Sequence, residues 1–322
     1  MTRRSLLVLL LFIPFALNAQ KALTLRDAVL KAGTDFAPER LRGLQWIEGA
    51  ANYSYVKDDK LMRGTLGKSV DTSILDVAGL NASIADSTKL KALPPMEWLS
   101  PSRVRFFHNG RYHTYDLGAK TTTPVQLPEG AEDDDFEPTT GNIAFTEEND
   151  LYIRSGANGN VVRVTTDGAD GIVNGKSVHR QEYGITKGTF WSPKGERLAF
   201  YRMDETMVSP YFLEDISTKP STFEKIRYPM AGGTSHHVTV GIHDMATGKK
   251  VYLKTGEPLD QYLTNISWSS DARHVHVVHL DRKTENLKLV RYDASTGDPL
   301  ATLLEEHDAK YLEPQHPAHF LK

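Results

Sequence analysis

The sequence predicts an all-β chain, a partial β-propeller of about five four-stranded blades with a long insertion in the fourth. Two observations carry that prediction. Phe190-Trp191 leads into Ser192-Pro193-Lys194-Gly195, and Leu198-Ala199-Phe200-Tyr201 resumes as a second strand. Pro193 presets φ at the second position of the turn, and Gly195 accepts the positive φ that closes it. Residues 266–277 repeat the same order of aromatic, turn and strand around Trp268, without the Pro and Gly. A recurring strand-turn-strand unit marks an array in which each unit lends its neighbour an apolar face.

The elements follow in order. Arg3 and Arg4 precede an apolar run from Leu6 to Leu17, and Ala19 is a small residue before Gln20. That is the layout of a secretory signal peptide at 1–19, too short to span a bilayer comfortably. Periplasmic export and no membrane span after signal removal are the expectations. Residues 20–40 form a lead-in segment, in which Leu23, Leu25, Ala28 and Val29 behind Thr24 read as a short helix or an entry strand. The incomplete propeller runs over 41–322.

Its first cluster holds strands at 44–48, 52–56 and 61–64, with Lys57-Asp58-Asp59-Lys60 as a turn. Residues 80–93 read as a helical or irregular insertion that Pro94-Pro95 ends. The second cluster has strands at 96–99, 104–107, 111–115 and 123–127, with Asn109-Gly110 as a tight hairpin signal. Glu132-Asp133-Asp134-Asp135 reads as a solvated loop between blades. Consecutive acids alternate in direction along an extended chain, whereas calcium loops interleave ligands with non-ligands. The third cluster is three strands, at 142–145, 150–153 and 161–165.

Residues 166–189 are a long connection. After Tyr201 an excursion over 202–233 interrupts the fourth blade before strands at 239–244 and 251–253. Insertions of that size inside a compact domain are usually functional. The fifth cluster covers 265–280, 287–293 and 300–304, and Tyr311-Leu312-Glu313-Pro314-Gln315-His316-Pro317 reads as the lead-in to another blade.

The totals exclude whole classes of function. A net charge of −3 gives no electrostatic argument for nucleic acid as a partner. The absence of cysteine removes disulfides, thiolate zinc sites and a thiol nucleophile. No Gly-x-Ser-x-Gly elbow occurs: Gly67-Lys68-Ser69 and Gly175-Lys176-Ser177 each begin one without closing it. A Ser-His-Asp arrangement on another scaffold stays open, because triads are defined by geometry. His274 and His276 share a face of an alternating strand beside His279, but no local pattern supplies a third ligand, and a sheet-surface pair is the preferred reading. His236 and His237 point to opposite faces if extended. No metal or cofactor is expected. Glu182, in Ser177-Val178-His179-Arg180-Gln181-Glu182-Tyr183-Gly184, can pair with a ligand ammonium at the propeller mouth or simply with Arg180 or Lys187.

WSPKGERLAFYRMDETMV, then IRYPMAGG and VGIHDMATGKKVYL, resembles the dipeptidyl peptidase IV branch of the prolyl oligopeptidase family, most strongly over 190–253. YLEPQHP is similar to the segment that introduces a later blade there. The resemblance implies an eight-bladed propeller capping an α/β-hydrolase domain with a serine, aspartate and histidine triad near the carboxyl terminus. That domain is expected to be absent from this chain, so no catalytic residue is assigned. In the family an acidic D-W-x-Y-E-E-E element holds the substrate's free amino terminus, and dipeptides ending in Pro or Ala are released. SVHRQEYG occupies its place, so the resemblance assigns substrate amino-terminus binding to Glu182. An ungapped count from Trp191 would reach Gln181, and Arg180 and Gln181 replace the neighbouring acids. The family's substrate-carbonyl arginine is matched to no residue between Arg105 and Arg111. Peptide substrates, the hydrolase domain of the same polypeptide and a second copy forming a homodimer are the partners implied. The alternative is a non-catalytic periplasmic propeller that binds a peptide or a protein.

Overall fold

The computed structural model describes residues 23–37, 41–47 and 49–320. The expected signal peptide at 1–19 lies outside them. Antiparallel strands dominate: four sheets of four strands, one of five and one of two. Blade one comprises Arg42–Ile47, Asn52–Lys57, Lys60–Thr65 and Thr72–Asp76; blade two, Met96–Ser100, Arg103–His108, Arg111–Asp116 and Thr121–Pro124. Blade three comprises Glu132–Phe136, Ile143–Glu147, Asp150–Arg154 and Val161–Arg163; blade five, Tyr262–Trp268, His274–Leu280, Asn286–Asp293 and Pro299–His307. The strands of each four-stranded sheet follow one another in chain order, as a run of hairpins requires.

The turns follow their chemistry. Asn109 and Gly110 both take positive φ, 52° and 75°, as a mirror-image two-residue hairpin needs. Gly195 sits at φ 67° and its N–H closes the turn on the Ser192 carbonyl at 2.9 Å. The lead-in is a helical turn at Asp27–Lys31, and Val77–Ser83 is a helix capped by Asp76, whose carboxylate accepts the Gly79 N–H at 2.7 Å.

Two readings are corrected. Glu132–Phe136 is a strand of blade three, paired with Ile143–Glu147, where a solvated loop was expected. Its acids have fixed partners: Asp135 accepts from Lys187, Thr189 and, through its carbonyl, the Trp191 indole, while Glu132 pairs with Lys176 at 2.6 Å. Charge pairing thus offsets the low strand propensity of acidic residues. The histidine strand is likewise no surface pair. His276 is buried beneath Phe320, with ring centroids 4.4 Å apart, and buried His279 bonds Gln261 and the Tyr292 hydroxyl. No group of three or more potential metal ligands converges among the described residues.

Apolar contacts join the blades. Leu61 and Leu75 meet Leu80, Val104 and Phe106; Leu151 and Ile153 meet Leu198 and Phe200; Tyr201 and Val240 meet Leu263 and Val277. Three indoles reinforce them across blade boundaries: Trp98 donates to Ser54 Oγ at 2.7 Å, Trp191 to the Asp135 carbonyl at 3.0 Å, and Trp268 to the Phe190 carbonyl at 2.9 Å.

Blade four is the irregular one. Its central strands, Arg197–Asp204 and His237–Asp244, enclose the expected insertion, which folds as a separate hairpin of Pro210–Asp215 and Thr222–Arg227. Lys250–Tyr252 lies outside them. On the other side Ile172–Asn174 and Thr189–Trp191 pair end to end with the same strand, opposite residues 202–204 and 198–200. The intervening chain is looped out of the sheet.

Candidate functional site

The loop leaves and re-enters the sheet through a neck made by two glycines. The Gly175 N–H donates to the Tyr201 carbonyl at 2.8 Å, and the Tyr201 N–H donates to the Gly188 carbonyl at 2.9 Å. The two glycine backbones are in such close contact that Gly188 has no space for a β-carbon. Loops whose ends meet in this way are compact and often functional.

Beyond the neck the backbone turns left-handed. His179, Arg180 and Gln181 take φ of 52°, 55° and 65°, and Tyr183 takes 55°. Each such non-glycine residue costs on the order of 1–2 kcal/mol, so the surrounding contacts must hold them there. The contacts come from blade five. The Leu263 N–H donates to His179 Nε2 at 3.2 Å, the Thr264 hydroxyl donates to the Tyr183 carbonyl at 2.9 Å, and the Tyr183 and Tyr262 rings meet edge to face at 4.7 Å. On the other side Arg180 pairs with Glu205 at 3.4 Å and lies over the Tyr228 ring at the base of the inserted hairpin.

The proton positions follow from these bonds. Because Nε2 of His179 accepts a backbone amide, its proton sits on Nδ1 and is donated to His236 Nε2 at 2.8 Å. Both rings are buried, and burial holds His179 well below the ordinary histidine range and brings His236 down to about 4. Burial also raises the Tyr183 phenol and, despite Arg180, the Glu205 carboxyl.

Glu182 is exposed on this turn and lines a cavity of 760 Å³ with Tyr183, Thr284, Tyr311 and Glu313. Neither cation proposed for it in the sequence is its ion-pair partner, since Arg180 goes to Glu205 and Lys187 to Asp135 at 2.9 Å. Glu313, in the YLEPQHP segment, is the carboxylate that sequence reasoning missed. No local pattern could signal it, because the segment reaches the loop only through tertiary contacts: Leu312 N–H to the Thr284 carbonyl, and Asn265 Nδ2 to the Pro314 carbonyl at 3.3 Å. Arg105 is held between the Tyr112 and Phe136 rings, 4.5 and 4.4 Å from their centroids, and pairs with Glu97 at 2.6 Å. The arrangement is chemically suited to receiving a cation: carboxylates at a cavity wall with phenol rings beside them.

Similarity to known proteins agrees with this architecture. Dipeptidyl aminopeptidase B of Saccharomyces cerevisiae is 29% identical over 186 residues, covering 50% of this chain and 22% of the yeast protein. A Bacteroides ovatus crystal structure, assigned provisionally as a dipeptidyl aminopeptidase IV, superposes with a TM-score of 0.73 at 38% identity, over 87% of this chain and 39% of that one. Porphyromonas gingivalis dipeptidyl peptidase 4 shares the fold, with a TM-score of 0.68 at 20% identity over 92% of this chain and 44% of that one. The matches span between 22% and 34% of the curated relatives' lengths. The sequence model described as the dipeptidyl peptidase IV (DPP IV) N-terminal region matches residues 98–322, and the chain belongs to that family.

Proposed function

We propose that this chain is the amino-terminal propeller portion of an exported, periplasmic serine dipeptidyl peptidase that removes amino-terminal dipeptides with Pro or Ala second. The propeller gates access to a hydrolase domain of the same polypeptide, which supplies the serine, histidine and aspartate. Glu182 receives the substrate ammonium, and Glu313 faces the same cavity as a second carboxylate. The observation that carries this reading is the position of Glu182: on a strained, clamped turn, at a cavity wall, and paired with neither nearby cation. Glu182 itself is extended, and left-handed residues on both sides of an exposed carboxylate are the pattern expected where a ligand is held. The inserted hairpin, with Phe212 and Phe223 exposed, is assigned to a homodimer contact.

The test uses the enzyme that joins this chain to its hydrolase domain. Gly-Pro-p-nitroanilide should be cleaved, and its amino-acetylated form should be a far poorer substrate. Glu182→Gln should raise KM for the free-amine substrate by roughly tenfold or more and leave the acetylated one unaffected. Equal loss on both substrates would remove Glu182 from ammonium binding.

A further inference from the structure

We propose that His179 is a positioning residue for amino-terminus binding: it locks the left-handed turn that aims Glu182 into the cavity. This rests on the function proposed above. The carboxylate of Glu182 is exposed, and an exposed carboxylate gives a ligand ammonium little unless its direction is fixed before binding. Its side-chain partner, the Tyr183 phenol, stands on the same turn and so does not by itself fix that direction. The backbone does: the Glu182 N–H donates to the His179 carbonyl at 3.2 Å, and the Ile185 N–H donates to the Glu182 carbonyl at 3.1 Å.

Of the three consecutive left-handed residues, 179–181, only His179 has a buried side chain. Its ring is the bolt between two elements far apart in sequence. Nε2 accepts the Leu263 N–H of blade five, and Nδ1–H donates to His236, which follows the inserted hairpin. The Tyr262 ring closes the third side, with centroids 5.0 Å apart. The position requires a flat side chain with an acceptor at one corner and a donor at another. A residue without both leaves a buried amide or imidazole unpaired, and the turn then has less to offset its backbone strain. His236 is built for the same joint: its Nδ1 has no hydrogen-bond partner among the described residues, so its polar contribution is the bond to His179.

The experiment compares Gly-Pro-p-nitroanilide with its acetylated form, in the full enzyme and in His179→Ala, His179→Gln and His236→Leu. His179→Ala should raise KM for the free-amine substrate about tenfold, with kcat within about twofold and the acetylated substrate unchanged. His179→Gln, which keeps a donor and an acceptor, should recover most of the loss, and His236→Leu should shift KM in the same direction as His179→Ala. A residue that only supports the core would instead lower activity on both substrates alike, and that result would overturn the proposal. If His179→Ala does not fold, an unchanged KM in His236→Leu overturns it. Glu182→Gln, run in parallel, separates the failures. If it leaves the free-to-blocked ratio intact, the ammonium site itself is wrong. If it collapses the ratio while the His179 and His236 variants do not, only the positioning role falls.

Discussion

Gly184 lies directly against the carbonyl oxygen of Gln315, with no space between them for a β-carbon, and it takes φ of 76°. This contact fixes the width of the cavity between the Glu182 turn and the Glu313 segment. Gly184→Ala should push the two apart and strain the backbone, costing roughly 1–3 kcal/mol of stability. Thermal unfolding checks the cost. A raised KM measured well below the variant's Tm, where the protein is still folded, would place the damage at the cavity.

Glu313 contributes to the same wall without standing on the strained turn. Glu313→Gln should therefore raise KM for free-amine peptides by less than Glu182→Gln does, by roughly three- to tenfold. The double variant should lose less than the sum of the two if both carboxylates meet one ammonium, and a double-substitution cycle reads that coupling.

Buried neutral histidines make the fold acid-sensitive. Burial lowers His279 to about 4 from an ordinary 6.5, while its nitrogens bond Gln261 and Tyr292. Between those values the unfolded chain binds the proton and the folded one does not, so stability falls as pH drops from about 6.5 toward 4. The slope approaches about 1.4 kcal/mol per pH unit for each such histidine. Tm should be level above pH 7 and decline below 6.5, and His279→Gln should flatten the decline.

The inserted hairpin carries Phe212 and Phe223 in solvent. Replacing both by Ser should turn a dimer into a monomer in sedimentation while changing stability by less than about 0.5 kcal/mol each, since neither is packed in the core. An unchanged sedimentation coefficient would remove the hairpin from self-association.

Trp268→Phe removes the indole bond to the Phe190 carbonyl, a link between blades five and four. A loss of about 1–2 kcal/mol is expected in denaturant unfolding, with blades four and five the first region to lose amide protection.

Much of this fold could be read in advance, because turns and strands declare themselves locally. Asn109-Gly110 and Ser192-Pro193-Lys194-Gly195 formed the hairpins their residues demand. Thr72–Asp76 escaped notice, being short and polar, and Glu132–Phe136 was misread because its stabilising partners, Lys176 and Lys187, come from the later loop. Glu182 could be singled out from its motif, and the structure places it at the wall of a cavity. The left-handed run beside it was not legible, since His, Arg and Gln do not announce positive φ, and Glu313 joins the cavity only by tertiary contact.

The three indole bonds all point the same way along the chain, from a later blade to the one before it. Each donor is thus made after its acceptor during synthesis. A wedge leaving the ribosome finds its predecessor's oxygen already in place, so each indole bond can close as its own wedge is added, from the amino-terminal end onward.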